Sequence, residues 1–549
     1  MENKQPQKTG FLKWLPLVIL SLALTIIILD TTILNVSLRA IINDLHTDIQ
    51  SMQWVITAYS LMLAAFTITG GRLGDLFGRK KMFISGAIIF AVGSFITSIS
   101  PNVGFMILGE AIIEGIGAAL MLPATTSLLV SNYKGRDRQV GFGIWGGIAG
   151  GAAALGPVVG GWLTTYFSWR WAFRINVVVA ILLVLGATFI AEVRDKEEKP
   201  TIDIIGILLS AFGMFVLVFG FIKTSAYGWL TMKQDTTILG FKYAQNQISL
   251  VPIFIVIGLI ILGIFALWEN YMTNKGRTPL VSLKLFNNSQ FTFGILITAI
   301  LALGQSGVMF AIPVFLQGVR HLNALDTGFA MLPMTVTLLI ASPMSAVISK
   351  NIAPKRIIQA GLILNILAFI VLRASISVNA TALSLAPGFI LFGAGFGLML
   401  SQISNIAMSA VSVEESGEAS GVNGTMRQVG STLGSAIMGA VLISVLTSHL
   451  VSGVNTSNII PNNAKPTLSK MISSQTSNIE FGTGANVASN TMPVQIGQEI
   501  TRISQQATVD ANKATLLIGL AFVVIALLLS TKLPKSKDIE TGKSVASGH

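Results

Sequence analysis

Three acidic residues stand inside stretches of the chain that are otherwise apolar. Asp30 lies in the run 14–38, and Glu110 and Glu114 lie in the run 104–130. An ionised side chain at the centre of a membrane helix costs about 2.5–3.5 kcal/mol, so an acid found there is a functional candidate. The i,i+4 spacing places the two glutamates on one helix face. Such carboxyls could take up and release protons, or they could only hydrogen-bond polar neighbours.

The three acids are expected at one depth. At 1.5 Å per residue, Glu110 and Glu114 lie roughly 9 and 15 Å from the start of their run, and Asp30 lies roughly 12 Å from the end of its own. Burial and mutual repulsion would favour the protonated form of each carboxyl. A cation arriving beside them would favour the deprotonated form, so a cationic ligand and protons would compete.

A second charged group lies in the stretch 71–81, GRLGDLFGRKK, between two apolar runs. Gly71 and Gly78 allow a tight connection and close contact between helices. Asp75 can accept hydrogen bonds from the N-terminus of a neighbouring helix and can pair with Arg79. We expect these four residues to form a latch that breaks and re-forms during a conformational change. The alternative is a basic turn that only orients the chain.

A third candidate is a face of small residues in the run 140–166. Gly156, Pro157, Gly160 and Gly161 belong to it. Small residues let two helix backbones approach closely, and proline can kink the helix. We expect a tight seam that prevents proton leak, whereas the simpler interpretation is close packing alone.

Composition indicates the elements that must position these groups. Of 549 residues 52% are hydrophobic and 11% are charged, and apolar runs of membrane-spanning length recur along the chain. In lipid such runs must be helices, because the backbone has to satisfy its own hydrogen bonds. The net charge of +12 arises from bases in alternate loops, which indicates membrane topology and not nucleic-acid binding. The chain has no cysteine and no nucleotide-binding P-loop, and its histidines suggest no metal site.

The spans define an all-α integral membrane protein with both termini on one side, which the bases assign to the cytoplasm. Fourteen transmembrane helices are predicted at 14–38, 53–70, 82–100, 104–130, 140–166, 173–191, 203–222, 249–270, 291–315, 326–348, 357–378, 382–410, 422–447 and 514–531. The predicted units are a six-helix bundle at 1–201, two inserted helices at 202–277, a second six-helix bundle at 278–535 with a long, partly disordered outer loop at 448–513, and a cytoplasmic tail at 536–549.

Several segments resemble one family. The segments are 29–38 (LDTTILNVSL), 71–81, 156–161 (GPVVGG), 168–176 (SWRWAFRIN) and 279–286 (PLVSLKLF). Together they resemble the fourteen-helix drug:proton antiporters of the major facilitator superfamily, the EmrB/QacA-type multidrug exporters. The resemblance implies the major facilitator fold, with the first and fourth helices lining a central cavity. Asp30, Glu110 and Glu114 would then face that cavity.

One position departs from the family pattern. Family members commonly carry an arginine three residues before the Gln-Gly of the fourth-helix motif. Ala111 stands in the place of that arginine, and Glu114 replaces the glutamine. A proton relay through the arginine is therefore not expected here. The change makes the cavity more acidic, which favours cationic cargo.

The expected function is proton-coupled export of lipophilic, cationic drugs or toxic compounds across the plasma (inner) membrane by alternating access. The chain would not be an enzyme, and would need no cofactor beyond the proton gradient. Its partners would be small cargo molecules, protons and the lipid bilayer, with the protein acting as a monomer. The alternatives are export of a physiological solute (a lipid, peptide or antibiotic), uptake by proton symport, and a non-transporting membrane sensor or scaffold.

Overall fold

Long helices account for most of the chain. The computed structural model describes residues 10–47, 49–192, 202–232, 236–238, 241–244, 247–475 and 494–534. The long helices in these ranges are α1 Leu15–Asp44, α2 Ile49–Phe77, α3 Arg79–Ser98, α4 Val103–Asn132, α5 Gly135–Tyr166, α6 Arg170–Gly186, α7 Ile204–Ile222, α8 Val251–Asn274, α9 Ser289–Gly318, α10 Ala324–Ile348, α11 Pro354–Ser375, α12 Ala382–Ser409, α13 Ser416–Thr456 and α14 Val494–Ser530.

These fourteen helices follow the fourteen predicted spans in order. Thirteen of them have the length and apolar composition to cross a membrane. The other is α5, which has 32 residues and begins with the charged residues Arg136, Asp137 and Arg138. The prediction of an all-α membrane protein is therefore confirmed for the described residues, apart from two short strands.

Two hydrophobic cores organise the helices. One core lies mainly among α1–α6 and the other among α9–α14, and we call these two groups the N-terminal and C-terminal halves. The inserted helices α7 and α8 pack on each other, and α7 also packs on α2. We call the end of the bundle at which α1 begins and α14 ends the basic end, and the opposite end the distal end. The predicted domain limits remain predictions, because the helices alone do not fix them.

Helix α5 has glycines on two of its faces. One face contacts α1 in the same half, and the other contacts α10 in the C-terminal half. A Cβ atom added at Gly156 would lie 1.8 Å from Thr32 Oγ1, and one at Gly160 would lie 3.0 Å from Ile33 Cγ2, so this face touches α1. On another face, a Cβ at Gly143 would lie 3.0 Å from Pro343 Cα in α10. The predicted seam of small residues is thus a close contact between α5 and α1. Pro157 and Gly161 lie in the same helix, and the side chain of Pro157 is outside those described.

The predicted long outer loop at 448–513 is wrong in its described parts. Helix α13 continues to Thr456, a short helix spans Lys465–Gln475, and α14 begins at Val494. Leu450, Ile460 and Ile503 are buried in a small apolar core at the distal end, which explains why these segments fold. Their many Ser, Thr and Asn residues hid this apolar pattern in the sequence. Residues 476–493 and the predicted tail at 536–549 lie outside the described residues.

A small β-hairpin was also not predicted. Strands β1 (Thr236–Ile238) and β2 (Phe241–Tyr243) pair antiparallel in the connection between α7 and α8. Alternation over only three residues is too short a signal to separate a strand from a loop.

The contact between α5 and α1 gives a first test. Replacing Gly156 with alanine should lower the thermal midpoint of the purified protein, because overpacking typically costs about 1–3 kcal/mol. Gly263 in α8 is the matched control, since an added Cβ there meets no atom within 4 Å. Equal thermal midpoints for Gly156→Ala and Gly263→Ala would contradict the close contact.

Candidate functional site

The three buried acids come together in space. Asp30 on α1 and Glu110 and Glu114 on α4 each offer a carboxyl oxygen within 4.8 Å of the others. Asp30 is 3% exposed, and both glutamates are 0% exposed. We call these residues the acidic triad. The predicted convergence is therefore present in the structure, although their role in proton coupling remains a prediction.

Two polar side chains hold part of the triad. Asn176 Nδ2 on α6 donates to Asp30 Oδ1 at 2.8 Å and to Glu114 Oε1 at 3.3 Å. Ser94 Oγ on α3 donates to the same Glu114 oxygen at 2.5 Å. Asp30 Oδ2, Glu114 Oε2 and both oxygens of Glu110 have no partner among the described residues. Four oxygens thus remain available to protons or to a cation.

Local helix structure explains how α4 presents its two glutamates. Residues Ile107–Glu114 form a π-helical stretch within α4. Such stretches are rare and often occur at functional sites. Helix α3 lies directly against this stretch, since a Cβ at Gly93 would lie 2.5 Å from the backbone nitrogen of Glu114. The i,i+4 spacing correctly predicted that the two glutamates meet, but it did not predict the π-helical form.

The surroundings of the triad differ from the expectation in one respect. Its hydrogen-bond donors, Ser94 and Asn176, both belong to the N-terminal half, and the three carboxyls are buried in this conformation. The triad therefore lies inside the N-terminal half, and it does not line an open cavity between the halves. The sequence also suggested neighbouring hydroxyls as partners for Asp30. Thr32 instead donates to the backbone carbonyls of Ile28 and Leu29.

The triad has the ligand spacing of a metal site, although no metal site was expected from the sequence. Hard cations such as Ca²⁺ take six to eight oxygen ligands, including waters or backbone carbonyls. Here three buried carboxyls converge. Proton binding needs no such coordination shell.

The predicted latch residues join the two halves at the basic end. Asp75 Oδ1 accepts from the backbone nitrogen of Gly417 at 3.0 Å, and Asp75 Oδ2 accepts from that of Glu418 at 2.7 Å. Both donors belong to the first turn of α13, where exposed backbone N–H groups favour an anion. Arg79 Nη2 lies 2.8 Å from Asp75 Oδ1 and donates to the carbonyl oxygen of Glu414 at 2.9 Å. These contacts are the ones that the sequence predicted for Asp75, but the switching role remains a prediction.

The sequence suggested a loop at the latch, but most of the latch residues lie in helices. Helix α2 runs through Gly71 and Asp75 to Phe77, so Gly78 is the single residue between α2 and α3. Gly78 has φ +107°, which side chains rarely tolerate. A Cβ at Gly71 would lie 2.3 Å from the carbonyl oxygen of Gly417, so this glycine allows α2 and α13 to touch.

Helix α13 carries one arginine far from the acids at its start. Arg427 lies eleven residues beyond Ser416, at a depth of about 16 Å. Its guanidinium lies 5.7 Å from the ring centre of Trp145 on α5. Arg427 forms no ion pair with any acid that the structure describes, and it places a positive charge between the two halves.

Twelve long helices in two halves and two inserted helices, with charges buried between and within the halves, have the architecture of a polytopic membrane transporter. The family model described as Major Facilitator Superfamily matches residues 20–435. The chain belongs to this superfamily.

Curated relatives and solved structures are consistent with that membership. The chain is 29% identical over 435 residues to a tetracenomycin C resistance and export protein of Streptomyces glaucescens, covering 78% of this chain and 76% of that protein. It is 26% identical to the multidrug transporter protein MdtP of Bacillus subtilis, covering 98% and 95%. A bacterial homologue of the human lysosomal transporter Spinster shares the fold, with a TM-score of 0.53, 16% identity, and coverage of 96% and 100%.

The latch can be tested by measuring a distance. Asp75→Asn removes the charge and opposes an amide N–H group to a backbone donor of α13, so the contact between the halves should weaken. Hydrogen bonds to charged groups contribute about 1.5–3 kcal/mol each. The chain has no cysteine, so spin labels at K81C and R356C would report the distance between the halves at the basic end.

Longer distances should gain population in the Asp75→Asn protein. The exposed acid Asp326 at the distal end provides the control variant Asp326→Asn. An unchanged distance distribution in Asp75→Asn would show that Asp75 does not hold the halves together.

Proposed function

We propose that this chain exports lipophilic drugs across the plasma membrane, and that proton uptake at the acidic triad drives the export. The observation that carries this proposal is the burial of three carboxyls within 4.8 Å of one another. The similarity to a tetracenomycin C resistance and export protein and to a multidrug transporter supports the cargo class. The basic end, by its Lys and Arg residues, would face the cytoplasm.

Electrostatics explains why this geometry suits proton exchange. Two unit charges 4.8 Å apart repel by about 3.5 kcal/mol at an effective dielectric constant of 20, and the triad contains three such pairs. Burial adds the cost of removing each charge from water. The closed conformation therefore favours carboxyls that carry protons. A conformation that admits water would favour their release.

Alternating access turns this preference into coupling. Protons would bind to the triad from the distal side while the halves meet at the basic end. Opening of the basic end would hydrate the triad and release the protons into the cytoplasm. The drug would then enter at the basic end. The proton gradient would drive the return of the transporter to the conformation in which the basic end is closed. Because the triad lies inside the N-terminal half, cargo and protons would compete through the conformation rather than through shared contacts.

Proton coupling is testable in cells that export ethidium. Asp30→Asn, Glu110→Gln and Glu114→Gln each remove one proton site while keeping the side-chain volume. We expect each variant to lose most of its efflux, and a protonophore to abolish efflux by the wild type. Asp510→Asn is the control, since Asp510 is an acid on α14 with only partial burial.

Two outcomes would contradict the proposal. Full efflux by all three triad variants would remove the triad from the mechanism, and efflux insensitive to a protonophore would remove the proton gradient. Purified protein in liposomes separates the alternatives. A scaffold would show no flux driven by a pH gradient, and a symporter would move cargo in the same direction as protons.

The sequence suggested cationic cargo because it predicted the acids in the central cavity, whereas Arg427 supports a second candidate. Its charge lies between the halves beside the ring of Trp145. A cation held at an aromatic face there would favour neutral or anionic aromatic compounds. The two candidates differ in the charge of the cargo and not in the mechanism.

A comparison of dyes decides between these cargo classes. If the preference is cationic, wild type exports ethidium in preference to fluorescein, and Arg427→Gln increases the ethidium rate because it removes a like charge. Arg427→Lys is the matched control, since it keeps the positive charge. Export of fluorescein without ethidium would show that the cationic preference is wrong.

A further inference from the structure

A polar cleft lies at the basic end, where the two halves meet. Helix α5 contributes Arg136 and Arg138 from the N-terminal half. The C-terminal half contributes Ser349 and Lys350, which follow α10, and Asn405 on α12. The cleft has a volume of about 90 Å³. It is separate from the acidic triad and the latch, so a ligand in the cleft would not depend on the proposed function.

The bases of the cleft have no acidic partner. Arg136, Arg138 and Lys350 form no ion pair with an acid in the part of the chain that the structure describes. Asp137 lies in the same turn as the two arginines, but Lys13 Nζ binds its carboxylate at 2.7 Å. Three positive charges that line one small cleft attract an anion.

Buried polar atoms in the cleft also lack partners. Asn405 is 1% exposed, and neither its Oδ1 nor its Nδ2 atom has a hydrogen-bond partner among the described residues. The Nε atom of Arg138 is likewise buried without an acceptor. An unsatisfied buried polar group costs about 1–3 kcal/mol, so native structures rarely keep one without a ligand or water. The two donors among these atoms, Asn405 Nδ2 and Arg138 Nε, point to a ligand that accepts hydrogen bonds.

We propose that this cleft binds a phosphate group and that the bound phosphate holds the two halves together at the basic end. Guanidinium groups donate parallel hydrogen bonds to phosphate oxygens, and a lysine adds a point charge. The amide of Asn405 would donate to a further oxygen. Gln139 and Ser349, which also line the cleft, already link the halves, with Ser349 Oγ donating to Gln139 Oε1 at 2.7 Å.

Two sources could supply this chemistry. One is the headgroup of an anionic phospholipid, since the cleft lies at the end of the bundle where helices meet the membrane surface. The other is free phosphate in the cytoplasm. In either case the ligand would bridge α5 of one half to α10 and α12 of the other, so it would favour the conformation that is closed at the basic end.

Direct binding to the purified full-length chain tests the proposal. One arm titrates inorganic phosphate into the protein in detergent by calorimetry. The other arm counts phosphatidylglycerol bound to protein released from nanodiscs by native mass spectrometry, with phosphatidylcholine nanodiscs as the reference. We expect wild type to bind in at least one arm. The arm that shows binding identifies the source.

Variants of the cleft residues test whether the phosphate binds at the cleft. In the double variant Arg138→Gln and Lys350→Gln, affinity should fall about tenfold or more, because each lost charged hydrogen bond contributes about 1.5–3 kcal/mol. Lys284→Gln is the matched control, since Lys284 is an exposed base that does not line the cleft. If the double variant does not fold, Arg136→Gln replaces it, because Arg136 is exposed.

The proposed effect of the bound phosphate on the conformation is measured separately. Spin labels at K81C and R356C should report a larger closed population at the basic end when the ligand is added to wild type, and no change in the double variant. Absence of binding in both arms would overturn the proposal. Equal binding by wild type and the cleft variant would also overturn it.

Discussion

Mutual repulsion among three buried carboxyls is the constraint on which the rest of this structure depends. Asp30, Glu110 and Glu114 lie within 4.8 Å of one another, away from water, and no cationic side chain among the described residues pairs with them. Such a cluster is stable when protons occupy it and becomes unstable when they leave. Its stability therefore depends on whether the conformation admits water, which is the property a proton-driven transporter requires.

The packing of α5 offers a physical connection between this cluster and the movement of the halves. Gly156 and Gly160 bring α5 against α1, the helix that carries Asp30, at residues next to that acid. Gly143 brings another face of α5 against α10 in the opposite half. A shift of α5 relative to α10 would thus also displace α1, because α5 and α1 are closely packed and leave no room between them. The contact between Asp75 and α13 joins the two halves at the basic end through a second pair of helices, α2 and α13.

Much of this organisation could be predicted from the sequence because the membrane imposes strong rules. Long apolar runs had to be helices, so fourteen helices were assigned in the correct order. The acids were found because charge inside an apolar run is rare, and Asp75 was found because an acid between glycines and bases has few simple explanations. Side chains that carry no charge gave no such signal, which is why Ser94 and Asn176 were missed as partners of the triad.

Other features depend on tertiary contacts that a linear pattern does not contain. The π-helical stretch Ile107–Glu114 arises within α4 where α3 packs against it, and the apolar core at the distal end is formed by residues spread over four segments. Helix α13 begins at Ser416, six residues before its predicted start at 422, and this earlier start places Arg427 away from Glu414 and Glu418. The burial of the triad inside one half could not be read from periodicity, since the family resemblance implied a central cavity.

Infrared spectroscopy of the carboxyl groups tests the central claim most directly. The difference spectrum between wild type and the triple variant Asp30→Asn, Glu110→Gln, Glu114→Gln contains the signal of the triad. The signals of other acids, such as Glu418, are present in both proteins and cancel. We expect a band of protonated carboxylic acid at neutral pH that is present in wild type and absent from the variant. A triad signal that contains only ionised carboxylate at neutral pH would contradict the claim.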